Sequence, residues 1–355
     1  MPAKKVGTAG AKQRQRLVKK HGVTTSENDN LSKGMSSLVP KDYRDSGRFI
    51  DSVQWNLEWF GAAKSREKDK RRFDLVVDIL ATLNSDLFVL QEVAGPSEDG
   101  RYPGIMDSVA EELTRRVAGD YRVAYTNTGG EQRVAMMWDS DWLRSKSEVA
   151  ELFERGHYAG NKKKDPFAGR TPLLGYFSLR IPSGKKQEPG ADRFDFQNLG
   201  VHLKAMEEGA AQRLESAGIL ADWLKNKAPL TDNDVMIMGD WNVPPDAACW
   251  KPFHDMERAD TNVHFTDIND QSDFSYLWHA NRDQKFVSRI DLTVMSLSSE
   301  TEYKMAGRVV RWKPIQDAIK ESKNITDKKV KDVMKELKDT ISDHMPTISR
   351  FSIAK

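Results

Sequence analysis

Residues 234–245 read DVMIMGDWNVPP. Val235, Met236, Ile237 and Met238 form a short, unbroken apolar run, the pattern of a strand buried on both faces. Gly239 ends the run and delivers Asp240 and Asn242 to one face of the turn that follows. Pro244 and Pro245 lack the N–H groups that further sheet pairing would need. A carboxylate can take a proton from water or bind a metal, and an amide can hold a phosphate oxygen. The pair therefore suits phosphoryl chemistry; the plainer alternative is an ordinary strand-end turn.

Upstream, Leu214, Ala217, Ala221 and Leu224 mark a helix leading into this strand. Strands are expected at Leu173–Ile181 and Phe194–Leu203, around the solvent-facing loop SGKKQEPGAD. Nearer the N-terminus, Val53, Trp55 and Leu57 alternate with polar residues as a strand ending at Glu58. Phe73, Val76, Val77, Leu80 and Leu83 then fall at helical spacing. Leu87–Leu90 reads as a short strand closed by Gln91 and Glu92, Ile105–Val117 as a helix and Val134–Trp138 as a strand. Residues 154–169 read as a loop. Val287–Met295 and Pro346–Ile353 are late strands, with a short amphipathic helix around Val330–Leu337 between them. Strands and helices mix without strict βαβ alternation, which predicts a layered α/β or α+β sandwich.

The 355 residues are 38% hydrophobic and 30% charged, enough for a sizeable core in a chain of soluble character. No apolar run approaches the ~20 residues of a membrane span. The N-terminus is positive but has no apolar core segment, so no secretory signal is read and an intracellular place, cytoplasmic or nucleoid/nuclear, is expected. The single cysteine, Cys249, excludes an intrachain disulfide and a cysteine-based zinc site. Charge is unevenly spread. Residues 1–26 carry seven Lys and Arg and no acid, so the net +2 of the whole leaves −5 for residues 27–355. Residues 1–47 are read as a basic, mostly disordered arm, and 48–355 as one catalytic domain. The arm either meets nucleic acid or another anionic surface, or is a solvated tail.

Polar residues recur where these strands finish: Asn56, Glu58, Glu92, His202, Asp240, Asn242, Asp291, Asp343 and His344. Any one of them has an ordinary structural explanation, but a sheet core rarely gathers so many carboxylates, amides and imidazoles at strand ends. In WNLEWF, LQE, GVHLK, GDWN, SRID and SDH, taken in that order, the chain resembles the endonuclease/exonuclease/phosphatase superfamily, which includes deoxyribonuclease I-like and exonuclease III-like nucleases. The resemblance spans about residues 48–353. It implies a four-layered α/β sandwich, two facing mixed β-sheets flanked by helices, with the site at one end of the sheets.

Residue by residue, the resemblance implies that Glu92 is the principal Mg²⁺ ligand, with Asn56, Glu58 and Asp343 close to the metal and Mn²⁺ able to substitute. Oxygen ligands are what Mg²⁺ requires. Asp240 matches the acid that positions or deprotonates the attacking water, and Asn242 the amide that holds the scissile phosphate. His202 and His344 match imidazoles that donate to phosphate oxygens, and Asp291 the carboxylate that orients one of them, taken as His344. Arg133, opening the strand QRVAMMW, and Arg170, in AGRTPLLGYF, are candidate phosphate ligands, for which the planar guanidinium is suited; a structural ion pair is the alternative for each.

The flank SRIDLTVMS and the preceding FSYLWHANRD are closer to the nuclease form than to the inositol-phosphate phosphatase form. Tyr276 and Trp278 could stack on a base or sugar, and Lys162, Lys163 and Lys164 are further candidate DNA contacts. The expected function is a metal-dependent DNA nuclease acting by in-line attack of water, monomeric, with DNA as partner and RNA also conceivable. The alternatives are a phosphatase or phosphodiesterase on a phospholipid or small phosphoester, and a non-catalytic interaction protein.

Overall fold

Strand β1 (Phe49–Phe60) alternates Val53, Trp55 and Leu57 with Ser52, Gln54 and Asn56, and both sets are buried. Alternation ordinarily marks a strand with one wet face. In this computed structural model the apolar set packs beneath helices, while the polar set faces a second sheet. The structure describes residues 49–117, 119–153, 165–179, 195–259, 265–267, 274–277, 287–296, 303–309, 313–322 and 327–353. The N-terminal arm, Lys162–Lys164 and Trp278 lie outside the described residues.

β1 runs parallel to β2 (Leu87–Val93) and antiparallel to β15 (Thr347–Ile353). With β3 (Tyr121–Tyr125), β4 (Arg133–Asp139) and β14 (Tyr303–Val309) they form a mixed six-stranded sheet, order β14-β15-β1-β2-β4-β3. The second sheet has β8 (Asp195–His202) parallel to β9 (Val235–Asp240) at its centre. Around that pair its order is β10-β13-β9-β8-β7-β5, formed with β5 (Leu143–Ser145), β7 (Leu173–Leu179), β10 (Phe265–Asp267) and β13 (Asp291–Ser296). A short β6 (Ala150–Glu151) also pairs with β7.

Three apolar layers hold the sandwich together. Helices α1 (Arg66–Leu83), α2 (Ile105–Arg116), α5 (Lys313–Ser322) and α6 (Lys328–Thr340) cover the outer face of the first sheet. Helices α3 (Ala210–Asn226) and α4 (Lys251–Arg258) cover the second. Between the sheets Val89, Val134 and Met136 meet Phe177, Phe196, Met236, Met238 and Met295. The result is the four-layered α/β sandwich, two mixed sheets with flanking helices.

The expected strand Val287–Met295 is in fact two. β12 (Val287–Ser288) pairs with β11 (Tyr276–Leu277), and β13 starts only at Asp291. The break has a local cause: the N–H groups of Ile290 and Asp291 donate to the Ser275 hydroxyl, at 3.2 and 3.1 Å, rather than to a neighbouring strand.

Strand direction decides where the site can be. The parallel pairs β1/β2 and β8/β9 finish at the same end of the sandwich, where antiparallel β4, β13 and β15 begin. Gly239 allows β9 to approach β8 there. Its φ is +148°, and a Cβ at this position would fall on the Val201 carbonyl oxygen. Trp241 then anchors the turn from below. It is fully buried, packs its ring 4.3 Å from that of Trp250 at a tilt of 36° and donates from Nε1 to Leu292 O at 3.3 Å. Large buried rings of this kind contribute about 3–5 kcal/mol each.

Candidate active site

Two strand ends deliver their acids through kinks. β1 changes register between Asn56 and Phe60, and β2 between Leu90 and Val93. Glu58, Trp59 and Glu92 sit in the left-handed region, with φ of 47°, 57° and 57°, and Asn242 joins them at 55°. Such conformations cost about 1–3 kcal/mol each for residues other than glycine, and they persist where the surroundings impose them. The bulges re-aim side chains that a regular strand would bury.

Across the gap between the sheets, Asn56 Nδ2 donates to Asp240 Oδ2 at 3.0 Å and lies 3.3 Å from Glu92 Oε1. His202 Nε2 is 3.6 Å from both Glu92 Oε1 and Asp240 Oδ2. His344 Nδ1 bonds Asp291 Oδ2 at 2.7 Å, while its Nε2 lies 3.9 Å from Asp240 Oδ2 and 3.8 Å from Asp343 Oδ1. The Asn242 N–H donates to Asp240 Oδ1 at 2.8 Å, and its Nδ2 to Leu203 O at 3.0 Å. The structure thus gathers Asn56, Glu92, His202, Asp240, Asn242, Asp291, Asp343 and His344 at one place. Glu58 joins the same end, its backbone N–H held by Asn56 Oδ1 at 3.0 Å.

The electrostatics divide these groups. Burial pushes the Asp240 carboxyl up to about 7, against the pull of the His344 cation; Asp291 adds to the rise. Burial pulls His344 down, but Asp291, Asp240 and Asp343 override it and hold the imidazolium to about 10. His202 goes the other way: burial, then Arg170 and His344, push it well below its ordinary value. One imidazole is therefore cationic and the other neutral beside the same acid, an acid–base division set by environment alone.

Arg170 explains part of that split. Its Nη1 lies 2.8 Å from His202 Nε2 and 3.1 Å from Nδ1, and its Nη2 donates to Leu203 O at 2.9 Å. A guanidinium only donates, so it favours a neutral ring. Arg133 is placed differently: it donates to the Gly130 and Thr126 carbonyls, both at 3.2 Å, and supports the turn before β4. Tyr276 packs its ring 4.8 Å from that of His344. Burial raises its phenol, and Asp343, Asp240, Glu58 and Glu92 raise it further, so all four carboxylates act on one hydroxyl.

Sequence reasoning missed the groups that hold these residues in place. Trp55 Nε1 donates to His344 O at 2.9 Å, and the Ser342 hydroxyl bridges Asn56 O and the His344 N–H, at 2.7 and 3.1 Å. Arg72, fully buried, donates to Leu57 O, Glu58 O and Ile341 O, and to Asp69 Oδ1. In sequence it reads as one more charge on a charged helix face, and no spacing rule marks it out.

The donor set fits a hard divalent cation. Glu92, Asp240, Glu58 and Asp343 offer carboxylate oxygens and Asn56 an amide oxygen now held by the Glu58 N–H, whereas the lone thiol, Cys249, is buried in the core under the second sheet. Asp240, Asp291 and His344 also lie within 4.8 Å of one another. There, however, His344 Nδ1 is already engaged by Asp291, so the oxygens around Glu92 are the better cation site.

Among the described residues no helix is long and apolar enough to cross a membrane. Among solved structures, the fold is similar to an endonuclease/exonuclease/phosphatase from Bacteroides vulgatus, with TM-score 0.57 and 12% identity over 86% of this chain and 99% of that one. It is also similar to truncated TDP2 of Caenorhabditis elegans, with TM-score 0.51 and 16% identity over 86% and 97%. A mannosyl-6-phosphatase of Bacteroides thetaiotaomicron gives TM-score 0.51 and 14% identity over 86% and 100%. No curated protein matches the sequence. These likenesses speak to the fold. The sequence itself matches the model of the Endonuclease/Exonuclease/phosphatase family over residues 53–344, most of its length, and the chain belongs to that family of hydrolases.

Proposed function

We propose that the chain is a metal-dependent nuclease that hydrolyses DNA phosphodiester bonds by in-line attack of an activated water. The observation that carries this reading is the contrast at Asp240: a buried carboxyl raised to about 7, with a cationic imidazole on one side and a neutral one on the other. A carboxylate poised in this way can take a proton from water near neutral pH. The His344 imidazolium, oriented by Asp291, donates from Nε2 to a phosphate oxygen as negative charge builds. The neutral His202 ring accepts from Arg170 at Nε2, so the one N–H it can offer to phosphate is on Nδ1, with Arg170 beside it supplying positive charge. Asn242 spends one amide proton on Leu203 O and keeps the second for a phosphate oxygen. Glu92 is the principal residue to hold a divalent cation, with Asn56 beside it. When bound, that ion acts as a Lewis acid on the phosphoryl group.

DNA as the substrate is supported by the nuclease-like flank Ser288–Asp291 and by seven positive charges without an acid in residues 1–26. The test is a panel of supercoiled plasmid, linear duplex, abasic duplex, single strand, RNA, phosphoinositide and sugar phosphate, each with Mg²⁺, Mn²⁺ or EDTA. Cleavage of DNA with either metal and none in EDTA is expected. Turnover confined to the small phosphoesters, or persisting in EDTA, would overturn the proposal. Glu92→Gln is expected to keep the fold by circular dichroism yet lower turnover at least about 100-fold, because a Lewis-acidic ion supplies several kcal/mol to such a transition state.

A further inference from the structure

Two of the carboxylates at this site are already neutralised. Lys68, in the first turn of α1, donates from Nζ to Glu58 Oε2 at 2.7 Å and to Lys338 O at 2.6 Å. Lys338, near the end of α6, brings its own Nζ to 3.5 Å from Asp343 Oδ2. The four side chains are only 16–26% exposed, so both ammonium groups are held in partly dry surroundings, where charge is screened less than in water. One turn along α1 from Lys68, Arg72 fixes the backbone of both segments, donating to Glu58 O at 2.8 Å and Ile341 O at 2.6 Å. The lysine pairs are thus built into a rigid corner between β1, α1 and α6.

Glu92 is different. Among the described residues no lysine or arginine lies within ion-pair distance of its oxygens; its neighbours are the Asn56 amide and the neutral His202 ring, with the Arg170 guanidinium acting on it from farther off. One carboxylate has been left for a cation and two have been supplied with one.

We propose that Lys68 and Lys338 hold the charge positions that a second divalent cation would need, so that the chain takes a single divalent cation, at Glu92. The inference rests on the reading of Glu92 as the cation ligand. It adds that Glu58 and Asp343 shape the site through their lysines and not as ligands of a second ion. A dication brought to Glu58 or Asp343 would meet an ammonium group within a few ångströms, and Glu58 Oε2 already accepts a hydrogen bond from Lys68.

The test is a titration of the full-length protein with Mn²⁺, following free Mn²⁺ by electron paramagnetic resonance. Wild type is expected to take up one ion per chain. The Lys68→Ala/Lys338→Ala double variant is expected to take up two, the second within about tenfold of the first in affinity. Lys68→Met, which keeps the methylene stem and the helix, provides a milder second variant and is expected to show the same extra uptake. Glu58→Gln should leave one ion with an affinity within about threefold of wild type. Two ions of similar affinity in wild type would overturn the inference, as would a single ion in both folded lysine variants. Absence of any uptake by wild type would instead overturn the cation reading of Glu92, a distinguishable result.

Discussion

Asp240→Asn is expected to lower kcat by about two orders of magnitude or more, the scale for losing a general base. Binding of DNA should survive, because the change is isosteric and the neighbouring phosphate donors remain. Asparagine can still accept from Asn56 Nδ2 or from the Asn242 N–H, the two bonds that position Asp240, so the strand-end turn should hold. A stability measurement separates lost chemistry from lost fold. The folded protein holds the Asp240 proton more tightly than the unfolded chain does, about 7 against an ordinary 3.8. Ionised Asp240 therefore weighs against the fold increasingly as pH rises from 3.8 through 7. In EDTA above pH 7, the asparagine variant should unfold at a denaturant concentration no lower than wild type. Near-normal kcat with lost affinity would make Asp240 a binding group and not the base.

The second large effect is structural. Arg72→Ala is expected to cost about 3–5 kcal/mol, read as a fall in the urea midpoint at unchanged slope. The guanidinium is fully buried, and its removal strands the Leu57, Glu58 and Ile341 carbonyls and leaves Asp69 without its cation. Unsatisfied buried acceptors carry their full desolvation cost. Arg72→Lys should recover little, since one ammonium on a flexible stem cannot reproduce a planar fork that reaches three carbonyls and a carboxylate. A variant within about 1 kcal/mol of wild type would show that water replaces the fork without penalty.

The strand ends at Asp240, Glu92 and His202 were legible because each follows a run whose periodicity is plain, and because polar groups seldom close buried strands. Weaker patterns hid the rest. β3, YRVAY, is an edge strand with only Tyr121 buried, so its pattern carries no clear period. Val287–Met295 reads as one strand because β-branched and apolar residues dominate it. Only the position of Ser275 in space reveals the break, and that hydroxyl is 15 and 16 residues away from the two N–H groups it holds. Lys68 and Arg72 were invisible for another reason: a helix in the sequence KDKRRF offers many cations, and which of them is buried depends on where α6 docks.

The Asn56–Asp240 and His344–Asp291 bonds join one sheet to the other, and the remaining alignment comes largely from side chains in the layer beneath. Four of those side chains, Met136, Met236, Met238 and Met295, are unbranched thioethers, the most compliant filling a core can have. Each half of the site is held within its own ladder, and away from the two bridging bonds the offset between the halves rests in part on soft material. Small changes of volume in the methionine layer are therefore expected to shift one half against the other, as on a vernier. Reactivity and substrate fit can then be retuned from positions that touch neither water nor phosphate, with every reacting side chain left as it is.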